Sequence, residues 1–313
     1  VHHKDHNHNN NPPDGSNWEL LCLYCHDNEH QDAVQREAGT SPGAIGRTEV
    51  KIDAVGLGPA RSLAAALGQD PEAYALRSEL PPLWLWLYFL PVVTAAGTGP
   101  DGHPARGGFL PAVELPRRMW AGSRCTFSGA VRIGDELTKV STIAKVTEKT
   151  GRSGAMVFVT VRHAWSRGGA ELMNEEQDIV YTALPEAYVP VEPLPAEPQD
   201  WSEPAAIDPV LLFRFSALTY NSHRIHYDRD YARDVEKYPD LVVHGPLQAI
   251  LMMEAARRRA PERRAASFAF RGVRPLFAAD AAMVCGRTTL GKLDLSVVKA
   301  DGGATMQAQL GWA

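Results

Sequence analysis

Prolines recur among acidic residues from Leu184 to Pro209 (LPEAYVPVEPLPAEPQDWSEPAAIDP), and this stretch divides the bulk of the chain into parts of similar length. Proline fixes φ and lacks an amide hydrogen, so such spacing opposes helices and β-ladders and reads as a semi-rigid linker. Both parts then show one order of elements, a helix-bearing front followed by several long strands. In the first part, residues 82–90 read as a buried helix rich in Trp and Leu. Strands follow at 124–128, 136–149, 156–166 and 177–184, with alternation plain in MVFVTVRHAW. In the second part, GPLQAILMMEAARRRA (245–260) has helical spacing and a basic end that suits the helix dipole. Strands are expected at 266–271, 282–290, 293–299 and 304–312. The repetition lies in element order and not in residue identity, and it gives an α+β class.

Composition excludes several alternatives. With 44% hydrophobic residues, 22% charged residues and a net charge of -5, the 313-residue chain is an ordinary globular sequence without the basic surface that nucleic acids require. The most apolar stretch, 80–96, is interrupted by Pro81, Pro82 and Pro91 and is shorter than the roughly 20 residues a bilayer needs. The opening VHHKDHNHNNN is not a basic start followed by an apolar run, so no secretory signal is expected. Four cysteines do not build a disulfide framework and point to a reducing, cytoplasmic setting.

The head is chemically distinct: six of the eleven histidines and two of the four cysteines fall in the first 30 residues. His2, His3 and Asn17 precede Cys22-x-x-Cys25-His26, with His30 beyond, and imidazole and thiolate donors at such spacing suit zinc or another divalent ion. This segment resembles the C-terminal part of an HNH nuclease motif. The resemblance implies His3 as general base, Asn17 as the residue orienting it, and His2 and His26 as metal ligands beside Cys22 and Cys25. One cysteine pair supplies only half of a tetrahedral site, so the segment is expected to be a truncated remnant. Residues 31–42 are polar, unpatterned and suited to a connector.

Chemistry concentrates in FRFSALTYNSHRIHYDRDYA, starting at Phe213, and in LVVHGPLQ, starting at Leu241. Asn221, His223 and His226 lie close together in sequence, and His244-Gly245 precedes the apolar helix. Packing alone does not explain so dense a polar cluster there. Tyr220 and Arg224 read as packing and surface residues, and Glu175, Glu176 and Asp178 as the acidic start of a strand.

The first segment resembles the MaoC-type (R)-hydratase signature, roughly D-x-N-P-L-H followed by Ala or Ser. By that resemblance the catalytic histidine falls on His226, the signature ends at Ala232, and the aspartate position holds Asn221. The histidine-glycine pair before the helix falls on His244 and Gly245. Likeness extends over most of residues 42–313, through IGRTE, PPLWLWLYFLP, DGHPARGGFLP, LPRRMWAGS, GRSGAMVFVTVRH and NEEQDIVY. These resemble the branch of mesaconyl-C4-CoA and itaconyl-CoA hydratases and type 2 hydroxyacyl-thioester dehydratases.

The resemblance implies a tandem (double) hot-dog, each half a long helix wrapped by an antiparallel sheet. It divides the chain into a head and connector (1–41), a degenerate first hot-dog that shapes the acyl tunnel (42–184), a linker (185–209) and a catalytic second hot-dog (210–313). It implies one active site per chain and addition or removal of water at an acyl-CoA or acyl-carrier-protein thioester. No cofactor is expected for that reaction, and any zinc or other divalent ion would belong to the head. Near-neutral His226 suits general acid-base work, with His223 or His244 assisting. A backbone N-H at Gly245 suits the thioester oxyanion. Arg117, Arg118, Arg271 and Arg274 are candidates for CoA phosphates or a distal carboxylate. Trp84 and Trp86 either belong to the core or line the tunnel. Hot-dog proteins commonly pair edge to edge, which makes a homodimer one expected assembly, although a tandem chain already contains an internal pair. A non-catalytic acyl-binding protein and a nuclease acting through the head are the competing readings.

Overall fold

The computed structural model describes residues 43–151, 154–194 and 196–313, together with the backbone of a short pairing of His2–His3 with Trp18–Glu19. The metal and nuclease expectations at His2, His3, Asn17, Cys22, Cys25, His26 and His30 concern side chains outside the described residues. The first half opens with β1 (Thr48–Ala54) and α1 (Leu57–Ala66), followed by β2 (Arg117–Phe127), β3 (Glu136–Gly151), β4 (Gly154–Arg167) and β5 (Ala170–Thr182). The second half contains β6 (Trp201–Pro204), α2 (Pro209–Leu218), α3 (Arg229–Asp234), α4 (Gly245–Arg259), β7 (Ala265–Gly272), β8 (Ala282–Thr289), β9 (Lys292–Lys299) and β10 (Ala304–Trp312).

These ten strands form one antiparallel sheet in the order β1-β3-β4-β5-β2-β7-β10-β9-β8-β6. The halves join at β2 and β7, where Gly122 faces Arg271 and Cys125 faces Phe268. Close approach makes a glycine necessary at this joint: a Cβ on Gly122 would lie 2.3 Å from the Phe270 carbonyl. Helix α4 is apolar around most of its circumference, and Leu247, Ile250, Met252 and Met253 are almost fully buried with Phe268, Leu295, Val297 and Met306. Truncating any of these large side chains to alanine would cost about 2–5 kcal/mol through lost transfer energy and the cavity left behind. Helix α1 contributes Ala60, Leu63 and Ala64 to the same core, to which α2 adds Leu211, Leu212 and Phe215.

Three expectations require correction. The expected helix at 82–90 is a 3₁₀ turn, Trp84–Leu87. Pro81 and Pro82 cannot donate to a helix, and the flanking Leu83 and Phe89 take positive φ values of 72° and 57°, which break regular helical geometry. Among the described residues of the first half the regular helix is instead the ten-residue α1, which is shorter than the fifteen-residue α4. The linker also does not exclude a ladder. Trp201–Pro204 pairs with β8 at the sheet edge, where proline's missing donor can face away from the pairing.

Candidate active site

The histidine-bearing segment begins where α2 ends. Asp208 caps this helix by accepting a hydrogen bond from Leu211 N at 2.7 Å, and Pro209 occupies the first turn, where its missing donor costs nothing. After Tyr220, at φ 50°, Asn221 Oδ1 accepts from His223 N at 3.0 Å and turns the chain into a 3₁₀ helix, Arg224–His226. That turn runs beside the strip before α4: Val242 N donates to Ile225 O at 2.9 Å, and His226 Nδ1 donates to Val242 O at 2.7 Å. A carbonyl can only accept, so Nδ1 carries the proton and the neutral ring keeps its lone pair on Nε2.

Four imidazoles form an array. His226 stacks on His244 with ring centroids 3.6 Å apart, meets His223 edge-on at 5.5 Å, and His223 in turn lies 4.0 Å from His103 of the first half. Each ring has its own partner. His244 Nε2 lies 2.9 Å from Ser216 Oγ, His223 Nε2 lies 2.9 Å from Glu236 Oε1, and His103 Nδ1 lies 3.0 Å from Asp101 Oδ2. Glu236 is buried and faces Arg117 Nε at 3.2 Å.

Burial sets the electrostatics. It pushes His226 well below the ordinary histidine value, and His244 and His223 add to the effect, while the Val242 carbonyl opposes it. Burial likewise lowers His244 to about 3 and His103 to about 4, the latter against the pull of Asp101. Burial would raise Asp101, but hydrogen bonds from His103 prevail and hold its carboxyl well below the usual range. Asp101, His103 and His223 could bring ligand atoms within 4.8 Å of one another. Each imidazole already faces a carboxylate, however, an arrangement suited to holding protons.

Asp101 and His103 reach the site because residues of the first half dock on the Arg224–His226 turn. Arg224 N donates to Asp101 O at 2.9 Å, and Ser222 Oγ donates to Gly102 O. At Gly102, φ is +89° and a Cβ would lie 1.8 Å from Ser222 O, so only glycine allows this approach. Beside the contact is a cavity of about 710 Å³, whose walls include Asp101, Arg106, Arg118, Arg224, Tyr231 and Glu236.

The structure brings Asn221, His223, His226 and His244 together, with Gly245 following His244 in the chain. Gly245 begins α4, and a Cβ there would make only ordinary contacts with Met306 and the Trp120 carbonyl. The other candidates scatter. Arg118 lines the cavity, whereas Arg117 is held by Glu236 and lies over the Tyr238 ring. Arg271 binds Gln307 on the sheet surface, and Arg274 is occupied by Asp301 and the Gly303 carbonyl. Trp84 is completely buried and donates to Glu254 of α4 at 3.1 Å, which places it in the core. Glu175 is not the start of a strand but lies within β5, as a buried carboxylate bonded to Ser123 and Trp86. Sequence reasoning missed His103, although DGHP stood out; its 120-residue separation from His223 hid the contact.

Residues 83–278 match the family model for hydroxyacyl-thioester dehydratase type 2. A mesaconyl-C(4)-CoA hydratase from Chloroflexus aurantiacus is 44% identical over 267 residues, covering 84% of this chain and 95% of that enzyme. The chain belongs to the type 2 hydroxyacyl-thioester dehydratase family. As a member of this family it is a hydro-lyase acting on acyl thioesters. The chain also shares its architecture with HtdX of Mycobacterium tuberculosis, at a TM-score of 0.62 and 15% identity, covering 85% of this chain and 100% of that one. Another M. tuberculosis protein, described as a double hotdog, aligns at TM-score 0.51 and 14% identity over 85% of this chain and 95% of its own. The fold is thus a tandem hot-dog. Residues 1–32 match the HNH endonuclease model. In that region a putative HNH nuclease, YajD of Escherichia coli, is 83% identical over 37 residues, which is 12% of this chain and 32% of that protein.

Proposed function

We infer that this enzyme adds water to, or removes it from, a CoA thioester of the mesaconyl-C4 type, with a single site carried by residues 210–313. The carrying observation is His226, whose Nδ1-H is committed to Val242 O, leaving Nε2 as the base, beside the N-terminus of α4. In hydration, Nε2 takes a proton from water as its oxygen bonds to the β carbon, then returns that proton to the α carbon as the enolate collapses, so that one water is added and His226 ends neutral. Between these steps negative charge develops on the thioester oxygen, where the Gly245 N-H and the positive end of α4 stabilise it. Loss of one such donor typically costs 10²–10³-fold in analogous acyl chemistry. Asn221 holds the turn through His223 N, and Ser216 holds His244 against His226. Residues 42–184 form the non-catalytic half, whose 99–105 segment closes one side of the site, and Arg118 is the candidate for a distal carboxylate.

The test follows loss of enoyl-thioester absorbance with mesaconyl-C4-CoA, itaconyl-CoA and crotonyl-CoA. Turnover is expected with at least one, preferentially the dicarboxylic thioesters, and His226→Ala should lower it by about 100-fold or more. A folded His226→Ala protein with normal turnover would remove this histidine from the mechanism.

A further inference from the structure

Glu175 is a buried carboxylate that the hydration steps do not use. Its oxygens are held by neutral donors, Ser123 Oγ at 2.6 Å and Trp86 Nε1 at 3.0 Å. Ser123 Oγ in turn accepts from Trp120 Nε1 at 2.9 Å, so one carboxylate orients two indoles. Burying a carboxylate is unfavourable unless its hydrogen bonds compensate, so its presence here calls for a role other than packing. That role is orientation. Trp86 and Trp120 meet edge to face with centroids 4.9 Å apart, and Phe270 of the second half completes the group at 5.9 and 6.2 Å from them. This aromatic wall borders the site. The Trp120 carbonyl lies 3.7 Å from where a Cβ on Gly245 would stand, at the start of α4. Arg118 of the cavity wall precedes Trp120 by two positions in the regular part of β2, so the two side chains share a face of the strand. Trp84 is completely buried, whereas Trp86 and Trp120 keep part of their surface open.

We propose that Trp86 and Trp120 form the end wall of the acyl site, that Glu175 is the positioning residue that holds both indoles, and that the enzyme therefore takes short-chain acyl thioesters and rejects long-chain ones. With the thioester oxygen at the Gly245 N-H, the distal carbons of the acyl group run against these rings. A longer chain has to displace an indole, which breaks the hydrogen bonds converging on Glu175 as well as the packing against Phe270. Apolar pockets discriminate a single methylene by about 10–200-fold, so several methylenes without room produce a sharp limit in chain length. The proposal rests on the hydro-lyase reading for placing the thioester at Gly245, but the length limit shows itself in binding and needs no turnover.

The first measurement is calorimetric binding of butyryl-CoA and octanoyl-CoA, saturated thioesters that cannot be hydrated. The wild type should bind butyryl-CoA at least about 10-fold more tightly, and Trp86→Ala should raise the relative affinity for octanoyl-CoA by at least about 10-fold. Trp120→Leu, which keeps an apolar side chain, should act in the same direction and decides the matter where Trp86→Ala does not fold. Glu175→Leu should raise the same ratio by about threefold or more through the lost hydrogen bonds. Glu175→Gln can still accept from Trp86 and should restore the wild-type ratio, whereas a merely structural Glu175 would leave the ratio unmoved in both variants. The second measurement is hydration of crotonyl-CoA and octenoyl-CoA, in which the octenoyl-to-crotonyl ratio of kcat/KM should rise in Trp86→Ala. Equal wild-type affinity for the two lengths, binding of neither, or an unchanged ratio in folded Trp86→Ala and Trp120→Leu proteins would overturn the proposal. Length-dependent binding without turnover of either enoyl thioester would defeat the hydratase reading and leave the wall standing.

Discussion

At the scale of residues, Asn221 tests how much of the mechanism depends on a charge at one position. Its Oδ1 accepts the His223 amide hydrogen, and an aspartate can accept the same bond, so Asn221→Asp should preserve the turn. A carboxylate beside the array favours imidazolium, which raises histidine pKa values. Catalysis through a neutral His226 then requires a higher pH. The acid limb of kcat/KM should shift upward in Asn221→Asp, with activity at pH 8 within about tenfold of wild type, whereas Asn221→Ala should lose the turn and most activity. An Asn221→Asp profile superimposable on that of wild type would show that this position does not communicate with the base. The sequence motif made His226, Asn221 and His244 legible because they lie within 24 positions on two neighbouring stretches. His103 was hidden because a contact across halves has no periodic or local signature.

Among the elements, legibility followed regular burial. Helix α4 and strands β3, β4 and β7 to β10 appear in the sequence near their observed limits, since each carries a sustained hydrophobic pattern. The pattern fails for α1, β1, β6 and the 82–90 segment, where prolines, short length and half-exposed faces weaken it. Strand β6 shows what stabilises a proline-containing edge. Trp201 lies over Gly286, where an added Cβ would come within 2.1 Å of the indole, and Arg259 stacks on its ring at 3.7 Å. Glu203 binds both Arg258 and Arg259, tying the edge strand to the basic end of α4. Gly286→Val should therefore displace Trp201 and destabilise the protein by about 1–3 kcal/mol through overpacking. Thermal unfolding monitored by tryptophan fluorescence checks this, and an unchanged midpoint with an unchanged emission maximum would show that the indole is not needed to hold the edge.

For the whole molecule, the continuous sheet implies that both halves unfold together. Phe270 of β7 packs near Trp86 and Trp120 of the first half, and β2 pairs directly with β7, so separating the halves exposes the core of each. Histidines buried on both sides of this joint provide a way to test that unity. Burial lowers His163 of β4 to about 3, with Lys139 assisting and Gln177 opposing, and lowers His244 and His103 of the site to about 3 and about 4. In the unfolded chain these groups titrate near 6.5, so unfolding takes up protons below that pH and stability must fall as pH drops from about 6.5 toward 4. Each such histidine adds about 1.4 kcal/mol per pH unit to the slope while its native form remains neutral. Glu175 works in the opposite direction, because burial raises its native pKa and protonation at low pH relieves that cost. Urea unfolding at pH 8, 7, 6 and 5 should show one transition whose midpoint is nearly constant at the upper values and falls steeply at the lower ones. His163→Gln should flatten the acid dependence of that same transition, even when unfolding is followed by a probe at His226. Two transitions, with only the first-half signal responding to His163→Gln, would mean that the β2–β7 joint does not couple the halves.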